Sequence, residues 1–390
     1  MSHALKRLRI AIITRNFATH GGGAERYAVA IAEQLAARHE VHVFAQAIEH
    51  EHPAMHYHLL PALRKPRWLN QWLFARRVAK LTASGFDIVH SHENGWAGNV
   101  QTVHVRPLRH NLFAQTQGFK RALQWLKTAT SLRLQAYLRL EAARFRPCLG
   151  RVIGVVSATL RDEMAASYPA SRACLHTIPP GVLMPQAVPE QGAARRALGL
   201  PQDGFMLLFV ANDFRRKGLD TLLEALQPLV GASPHLQPNA IHLMVVGHSA
   251  HLAEYQARCQ AMGLADRVHF LGRQADMTPL YAAANLLVHP TREDTFGMVA
   301  LEAMAQGVPV IVSRAPYCGL SAELSADEAL LLNDPYAADE LAAALQSLLD
   351  DAARRDALAK AGRKVAARYD WATQARRYEQ LYFELLAGAS

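Results

Sequence analysis

Residues 289–312 read HPTREDTFGMVALEAMAQGVPVIV. Leu286, Leu287 and Val288 lead into this stretch as a buried strand, 290–295 read as a loop, and 297–306 as a short helix. Gly307 closes the helix, and 308–312 begin the next strand. Strand, loop, helix and strand in that order form the unit of an open α/β sheet, whose ligands bind outside the carboxyl ends of the strands. Asp294 on the loop and Glu302, about two helical turns further on, therefore stand where a ligand would lie. An ionised carboxylate only accepts hydrogen bonds, so the pair suits a hydroxyl-rich ligand such as a sugar.

The same rhythm extends outward. Residues 8–13 read as a buried strand, followed by a loop ending in Gly21-Gly22-Gly23 and a helix with Tyr27, Ala28, Ile31 and Leu35 on one face. Further strands are expected at 41–45, 86–90 and 152–156. Near Pro179-Pro180-Gly181 the alternation stops, and a polar stretch containing proline and glycine runs to Gly204. It resumes with a strand at 205–210, a helix carrying Leu219, Leu222, Leu223 and Leu226, and strands at 243–246, 268–271, 286–289 and 308–312. A last helix, 371–387, sets Tyr378, Leu381, Tyr382 and Leu385 on one stripe. The expected architecture is α/β, with two Rossmann-like doubly wound domains facing a central cleft. The first spans 1–185, the second 200–368, and a C-terminal helix at 369–390 returns to the first domain.

A length of 390 residues, 51% of them apolar, is ample for two cores. Cys148, Cys174, Cys259 and Cys318 form no CxxC or CxxH pairing, which argues for a reducing compartment and against a disulfide framework or structural zinc. The N-terminus lacks a signal-peptide apolar region and no segment has the length of a membrane span, so a soluble, cytosolic protein is expected. The net charge of +9 is unevenly placed. From Arg106 to Arg151 there are ten Lys or Arg and one acid, Glu141. From Arg64 to Lys80 there are six bases and no acid, interleaved with Trp68, Leu69, Trp72, Leu73 and Phe74. Such surfaces suit nucleic acid, anionic lipid or phosphorylated small molecules, and charge alone does not choose.

Two loops invite anions. Gly22 and Gly23 open the first helix after the first strand, where glycines allow close backbone approach and the helix N-terminus favours negative charge. The loop is not a complete GxGxxG, and taken alone it reads equally as a tight turn. Asn212-Asp213-Phe214-Arg215-Arg216-Lys217-Gly218 takes the equivalent place in the second domain. Arg216 and Lys217, between a strand end and a helix start, make a site for a diphosphate without a metal. The blander readings are a solvated basic loop, a capping role for Asp294 and a solvated helix position for Glu302; Leu301 and Met304 read as core.

Taken together, the glycine loop, the Arg-Lys pair and the D-x-F-G-x-x-x-x-E-A-M-A-x-G-x-P-V stretch resemble the GT-B glycosyltransferases of family GT4. The resemblance covers nearly the whole chain, including Ile178-Pro179-Pro180-Gly181-Val182, Val245-Val246-Gly247 and Phe270-Leu271-Gly272-Arg273. Within it, the Asn-Asp-Phe-Arg-Arg-Lys-Gly loop and Tyr317-Cys318-Gly319 are most similar to lipopolysaccharide core glucosyltransferases of the glucosyltransferase I type. The resemblance implies that Arg216 and Lys217 hold the donor diphosphate and that Glu302 contacts the nucleotide ribose. Asp294 falls where a glutamate normally meets the donor sugar, with Glu293 beside it as a second acid. Amides at Phe296 and Gly297 would meet donor hydroxyls, Gly247 and Arg273 would bind substrate, and His104 resembles the family's cleft histidine. Tyr27 stands where an acid would be expected after the glycine loop, which leaves the donor sugar open.

The expected activity is retaining transfer of a hexose, glucose from UDP-glucose, to a lipopolysaccharide core or related glycolipid or oligosaccharide acceptor. No cofactor is expected, and transfer should be metal-independent because no Asp-x-Asp site occurs in a suitable loop. Domain closure would exclude water and favour transfer over hydrolysis. The basic segments at 64–80 and 106–146 fit peripheral docking on anionic membrane lipid, or equally ordinary amphipathic helices with solvated basic faces. Other GT4 donors (GDP-mannose, ADP-heptose or UDP-GlcNAc, for capsule or lipid-linked oligosaccharide) stay open. A nucleic-acid-binding role is the alternative of another class, against which stands the lack of a helix-turn-helix, zinc-finger or RNP signature.

Overall fold

Apolar strands alternate with amphipathic helices in two separate units of the chain. The computed structural model describes residues 6–19, 22–114, 116–147, 150–232 and 241–388, so Gly21 and Cys148 lie outside the described residues. One unit comprises Met1–Gly181 with Trp371–Ser390, the other Val182–Asp370.

The first unit contains β1 (Arg9–Ile13), β2 (Asn16–Phe17), β3 (Glu40–Ala45), β4 (Ala47–Ile48), β5 (Met55–Leu59), β6 (Ile88–Ser91), β7 (Val100–Val103), β8 (Val152–Val155) and β9 (Leu175–Thr177). Among the described residues, seven of these form one parallel sheet in the order β5-β3-β1-β6-β7-β8-β9, with β2 and β4 paired beside it. Ile10, Ala11, Ile12 and Ile13 are buried, as continuous apolar strands are when helices cover both faces of a parallel sheet. The chain runs from β1 to β3 and β5 on one side, then returns to β6 on the other. The topological switch point, where such sheets bind ligands, therefore falls between β1 and β6.

The terminal helix Trp371–Gly388 belongs to this unit, and Tyr378 and Tyr382 are buried in it. Their hydroxyls extend a buried chain of hydrogen bonds. Tyr382 Oη lies 2.6 Å from His90 Nδ1, His90 Nε2 2.6 Å from Thr102 Oγ1, Thr102 Oγ1 2.6 Å from Tyr378 Oη, and Tyr378 Oη 3.1 Å from Tyr27 Oη. Glu379 accepts from Arg38 Nη2 and approaches His39 Nε2, each at 2.7 Å. Tyr27, read as standing in place of a site acid, is thus a core residue, 1% exposed.

The second unit contains β10 (Phe205–Ala211), β11 (Ile241–Gly247), β12 (Val268–Gly272), β13 (Leu286–His289), β14 (Val310–Ser313) and β15 (Leu330–Leu332). They form a parallel sheet in the order β12-β11-β10-β13-β14-β15, which sets its switch point between β10 and β13. Leu207, Phe209, Leu222, Leu226, Leu243, Val245, Leu286 and Val288 share its core, which fixes where those strands end.

The stretch read as a boundary up to residue 200 belongs to this unit and carries the helix Gln191–Ala197, capped by the Glu190 carboxylate. Buried Arg195 there donates to Ala283 O, Gln202 O, Gly204 O and Asn285 Oδ1, so a polar sequence is drawn into the fold. Among the described residues, no helix is long and apolar enough to cross a membrane.

Candidate functional site

At the second unit's switch point, two loops meet closely. Gly218 adopts φ 84°, and a Cβ there would run into the Pro290 carbonyl, so only glycine lets the loop after β10 lie against the loop after β13. The Arg292 amide donates to Arg216 O at 2.9 Å, which fastens the loops backbone to backbone. Lys217 is thereby aimed at Asp294. Its Nζ lies 2.5 Å from Asp294 Oδ2 and donates to Glu293 O at 3.0 Å. An ammonium has three donors, and two are occupied among the described residues.

His289, the last residue of β13, is fully buried with Nε2 3.0 Å from the same Asp294 Oδ2. Because Asp294 can only accept, the ring proton sits on Nε2. Burial pushes the His289 pKa down and the Asp294 carboxylate opposes it, so the ring is neutral near pH 7. For Asp294, burial acts to raise the pKa, but the His289 hydrogen bond and the Lys217 charge outweigh it and hold the carboxyl well below the usual carboxylate range. The carboxylate is therefore an anion that fixes a cation. Its main chain is pinned as well, its amide donating to Tyr317 O at 2.7 Å and its carbonyl accepting from Gly319 N at 3.1 Å.

The remaining sequence-selected residues of this unit take varied places. Arg216 is exposed and pairs loosely with Asp213, Nε to Oδ2 3.6 Å, so its guanidinium faces solvent. The Phe296 amide, expected to meet a ligand hydroxyl, donates to Asp294 Oδ1 at 3.3 Å, and its ring is buried. Gly297, read as the first residue of the helix, is instead its N-cap in the left-handed region, and no side chain caps the helix Met298–Ala305. Glu302 lies on that helix, where the Tyr281 hydroxyl donates to its Oε2 at 2.8 Å, while Leu301 and Met304 turn into the core. Gly247 ends β11 beside Ala211, and exposed Arg273 follows the end of β12.

The first unit repeats the device. Arg15 follows β1, Glu93 follows β6, and Arg15 Nε donates to Glu93 Oε2 at 3.0 Å while its amide donates to Oε1 at 3.1 Å. This ion pair bridges the switch point as Lys217 and Asp294 do in the other unit. Sequence reading missed it because the partners are 78 residues apart; strand order was the signal that could have found it.

His104, just past β7, lies with Nε2 3.2 Å from His92 Nδ1 and its ring 4.7 Å from that of Tyr27. Burial, then the Arg144 charge, pushes its pKa down to about 3, so it is a neutral hydrogen-bonding group near pH 7. Gly22 caps the first helix in an ordinary extended conformation, and a Cβ at Gly23 would meet nothing within 4 Å. The fold itself thus asks for no glycine at position 23.

The two basic segments differ. In the helix Arg67–Leu81, Phe74 and Val78 are buried, and Trp72 stacks edge-on against Trp96. In the helix Gly118–Thr130, Phe119, Leu123, Trp125 and Leu126 are all at least half exposed, beside Lys120, Arg121 and Lys127.

The chain is similar to known proteins in sequence and in fold. The model for glycosyl transferases group 1 matches residues 190–365, and that for Glycosyltransferase Family 4 matches residues 21–183. D-inositol 3-phosphate glycosyltransferase 1 of Catenulispora acidiphila is 31% identical over 234 residues, 58% of this chain and 56% of that one. The chain spans little more than half the length of the curated relatives it matches. The structure of WaaG, a glycosyltransferase of lipopolysaccharide biosynthesis, superposes with a TM-score of 0.77 at 24% identity, covering 95% of this chain and 98% of that one. Anabaena Alr3699/HepE in complex with UDP-glucose gives a TM-score of 0.71 at 19% identity, covering 96% and 99%.

The Lys217–Asp294 pair is open to a double-mutant cycle. Lys217→Met and Asp294→Asn should each destabilise the second unit, by about 3–5 kcal/mol where a buried charge is left alone. The double variant should be less destabilised than the two losses summed, with a coupling of about 0.5–3 kcal/mol in urea denaturation. Simple additivity would show that the two groups do not support each other.

Proposed function

As this chain belongs to the GT-B glycosyltransferases of family 4, we propose that it is a retaining hexosyltransferase. It takes glucose from UDP-glucose and transfers it to a lipopolysaccharide core or related glycolipid. The observation that carries the reading is the Lys217–Asp294–His289 cluster at a sheet switch point, with the exposed Arg216 guanidinium on the same loop. Departure of a nucleoside diphosphate builds negative charge, and cations fixed beforehand stabilise it without reorganising as the bond breaks. Lys217, locked by Asp294 and the Glu293 carbonyl, supplies one; Arg216 is free to swing onto the phosphates.

In this reading Glu302, oriented by Tyr281, accepts the ribose hydroxyls, and Gly247 and Arg273 line the nucleotide. Asp294 serves first as the counter-ion of Lys217 and through Oδ1 faces the donor sugar, with Glu293 beside it. Gly22 and Gly23 admit a close anion, and neutral His104 hydrogen-bonds a sugar hydroxyl instead of shuttling a proton. One fixed cation, Lys217, and a second, Arg216, within reach on the same loop make a metal unnecessary for leaving-group departure, so transfer is proposed to be metal-independent. The relatives named for D-inositol 3-phosphate favour a second reading of the acceptor, as a phosphorylated polyol.

The helix Gly118–Thr130 is proposed to seat the enzyme on the cytoplasmic face of an anionic membrane. Its exposed Phe119, Leu123 and Leu126 recur at helical spacing between Lys120, Arg121 and Lys127, a pairing that buries apolar groups while the cations meet lipid phosphates.

Kinetics, product analysis and vesicle sedimentation test these readings. Arg216→Ala and Lys217→Ala should each lower kcat with UDP-glucose by about a hundred- to a thousandfold. The product of the wild-type enzyme, read by mass and anomeric NMR on core lipopolysaccharide, should carry one added hexose with the donor's configuration; near wild-type turnover in both variants sinks the diphosphate assignment. In sedimentation with phosphatidylglycerol-containing vesicles, wild type should pellet and Phe119→Ser/Leu126→Ser should stay in solution, whereas equal pelleting of both, or none of wild type, would refute the docking helix.

A further inference from the structure

We propose that Glu40, His42 and His56 form a binding site for one transition-metal dication such as Zn2+, at the edge of the first unit's sheet. Nothing in the transfer chemistry uses these residues. Six of the chain's nineteen histidines fall between 39 and 58, and the fold sorts them. His39 faces Glu379 and His50 faces Glu33, each as an ordinary pair at 2.7 Å. His42, His56 and His58 instead gather on one face of the β3–β5 ladder.

Register produces the cluster. Parallel pairing sets His42 opposite His56, and Glu40, two residues before His42, projects from the same face. One donor atom from each of the three residues lies within 4.8 Å of the others, and Glu40 Oε1 is 2.8 Å from His42 Nε2. The His42 and His56 rings stack at 4.6 Å. Two imidazoles and a carboxylate are a ligand set that zinc accepts, leaving a fourth position for water.

A second layer fits as well. An imidazole that ligates through Nε2 carries its proton on Nδ1, and His42 Nδ1 lies 3.0 Å from His58 Nε2, which can receive it. The Glu40–His42 pair already attracts a cation, since Arg9 Nε stands 3.0 Å from Glu40 Oε1 and 3.4 Å from His42 Nε2. That side chain is 47% exposed and is otherwise held by the Gly85 carbonyl and the face of the Phe86 ring, so a dication would take its place at Glu40 while it turns towards solvent.

The site stands towards the amino ends of the strands, whereas Arg15, Glu93 and His104 follow their carboxyl ends. A metal here would brace the edge strand β5 and leave transfer alone.

The test uses the full chain without a histidine tag, treated with chelator and then titrated with Co2+ and Zn2+. One equivalent of Co2+ should bind with visible d–d absorption, Zn2+ should displace it, and the melting temperature should rise. His56 is exposed, so His56→Ala should fold normally and lose the stoichiometric binding, while His58→Phe should weaken it by about 10–100-fold. Absence of Co2+ uptake, or uptake that His56→Ala leaves unchanged, would overturn the assignment.

Discussion

The ion pair between Lys217 and Asp294 joins the ends of β10 and β13 across the point where the second unit's strand order reverses. Much of that rim exists to make the pair possible. Gly218 takes a positive φ so the two loops can touch, the Arg292 amide bonds Arg216 O, and His289 presses a neutral imidazole onto the same carboxylate oxygen. A largely buried ion pair is weak evidence for stability, because taking both charges out of water offsets much of their attraction. A strongly depressed carboxyl beside a buried histidine and a lysine at a strand's carboxyl end is also what the proposed diphosphate site requires, since it keeps the lysine's counter-charge in place.

The first unit solves a different problem with related parts. It too sets an ion pair, Arg15 and Glu93, across its switch point. Behind that rim lies a polar interior in which His90, Thr102, Tyr378, Tyr382 and Tyr27 satisfy one another. Burial first, then the proximity of His104 and the Arg144 charge, push the His90 pKa down to about 3, so it is neutral near pH 7. Because two of these hydroxyls come from the helix Trp371–Gly388, its buried face is part of the first unit's core.

Fold class was legible because most strands here are unbroken apolar runs. Strand β7 (Val100–Val103) was not, since Gln101 and Thr102 look solvent-facing in sequence yet are fully buried, Thr102 being bonded by His90 and Tyr378. Strand β5 (Met55–Leu59) was hidden by His56 and His58, which an edge strand tolerates. The helix Gln191–Ala197 was read as boundary because its polar residues find partners only in the folded unit.

At the site, the residues could be named but not their partners. Lys217 and Asp294 were both expected near a ligand, and that each would hold the other required the register of β10 on β13. His289 was read as strand end only, and its orientation towards Asp294 is a tertiary fact.

The central claim is that Lys217 is fixed in place for a diphosphate, and calorimetric titration of UDP against uridine tests it most directly. Lys217→Ala should lose about ten- to a hundredfold in UDP affinity, the worth of one or two charge-assisted hydrogen bonds, and bind uridine as wild type does. Equal losses for both ligands, or UDP affinity unchanged, would contradict the account.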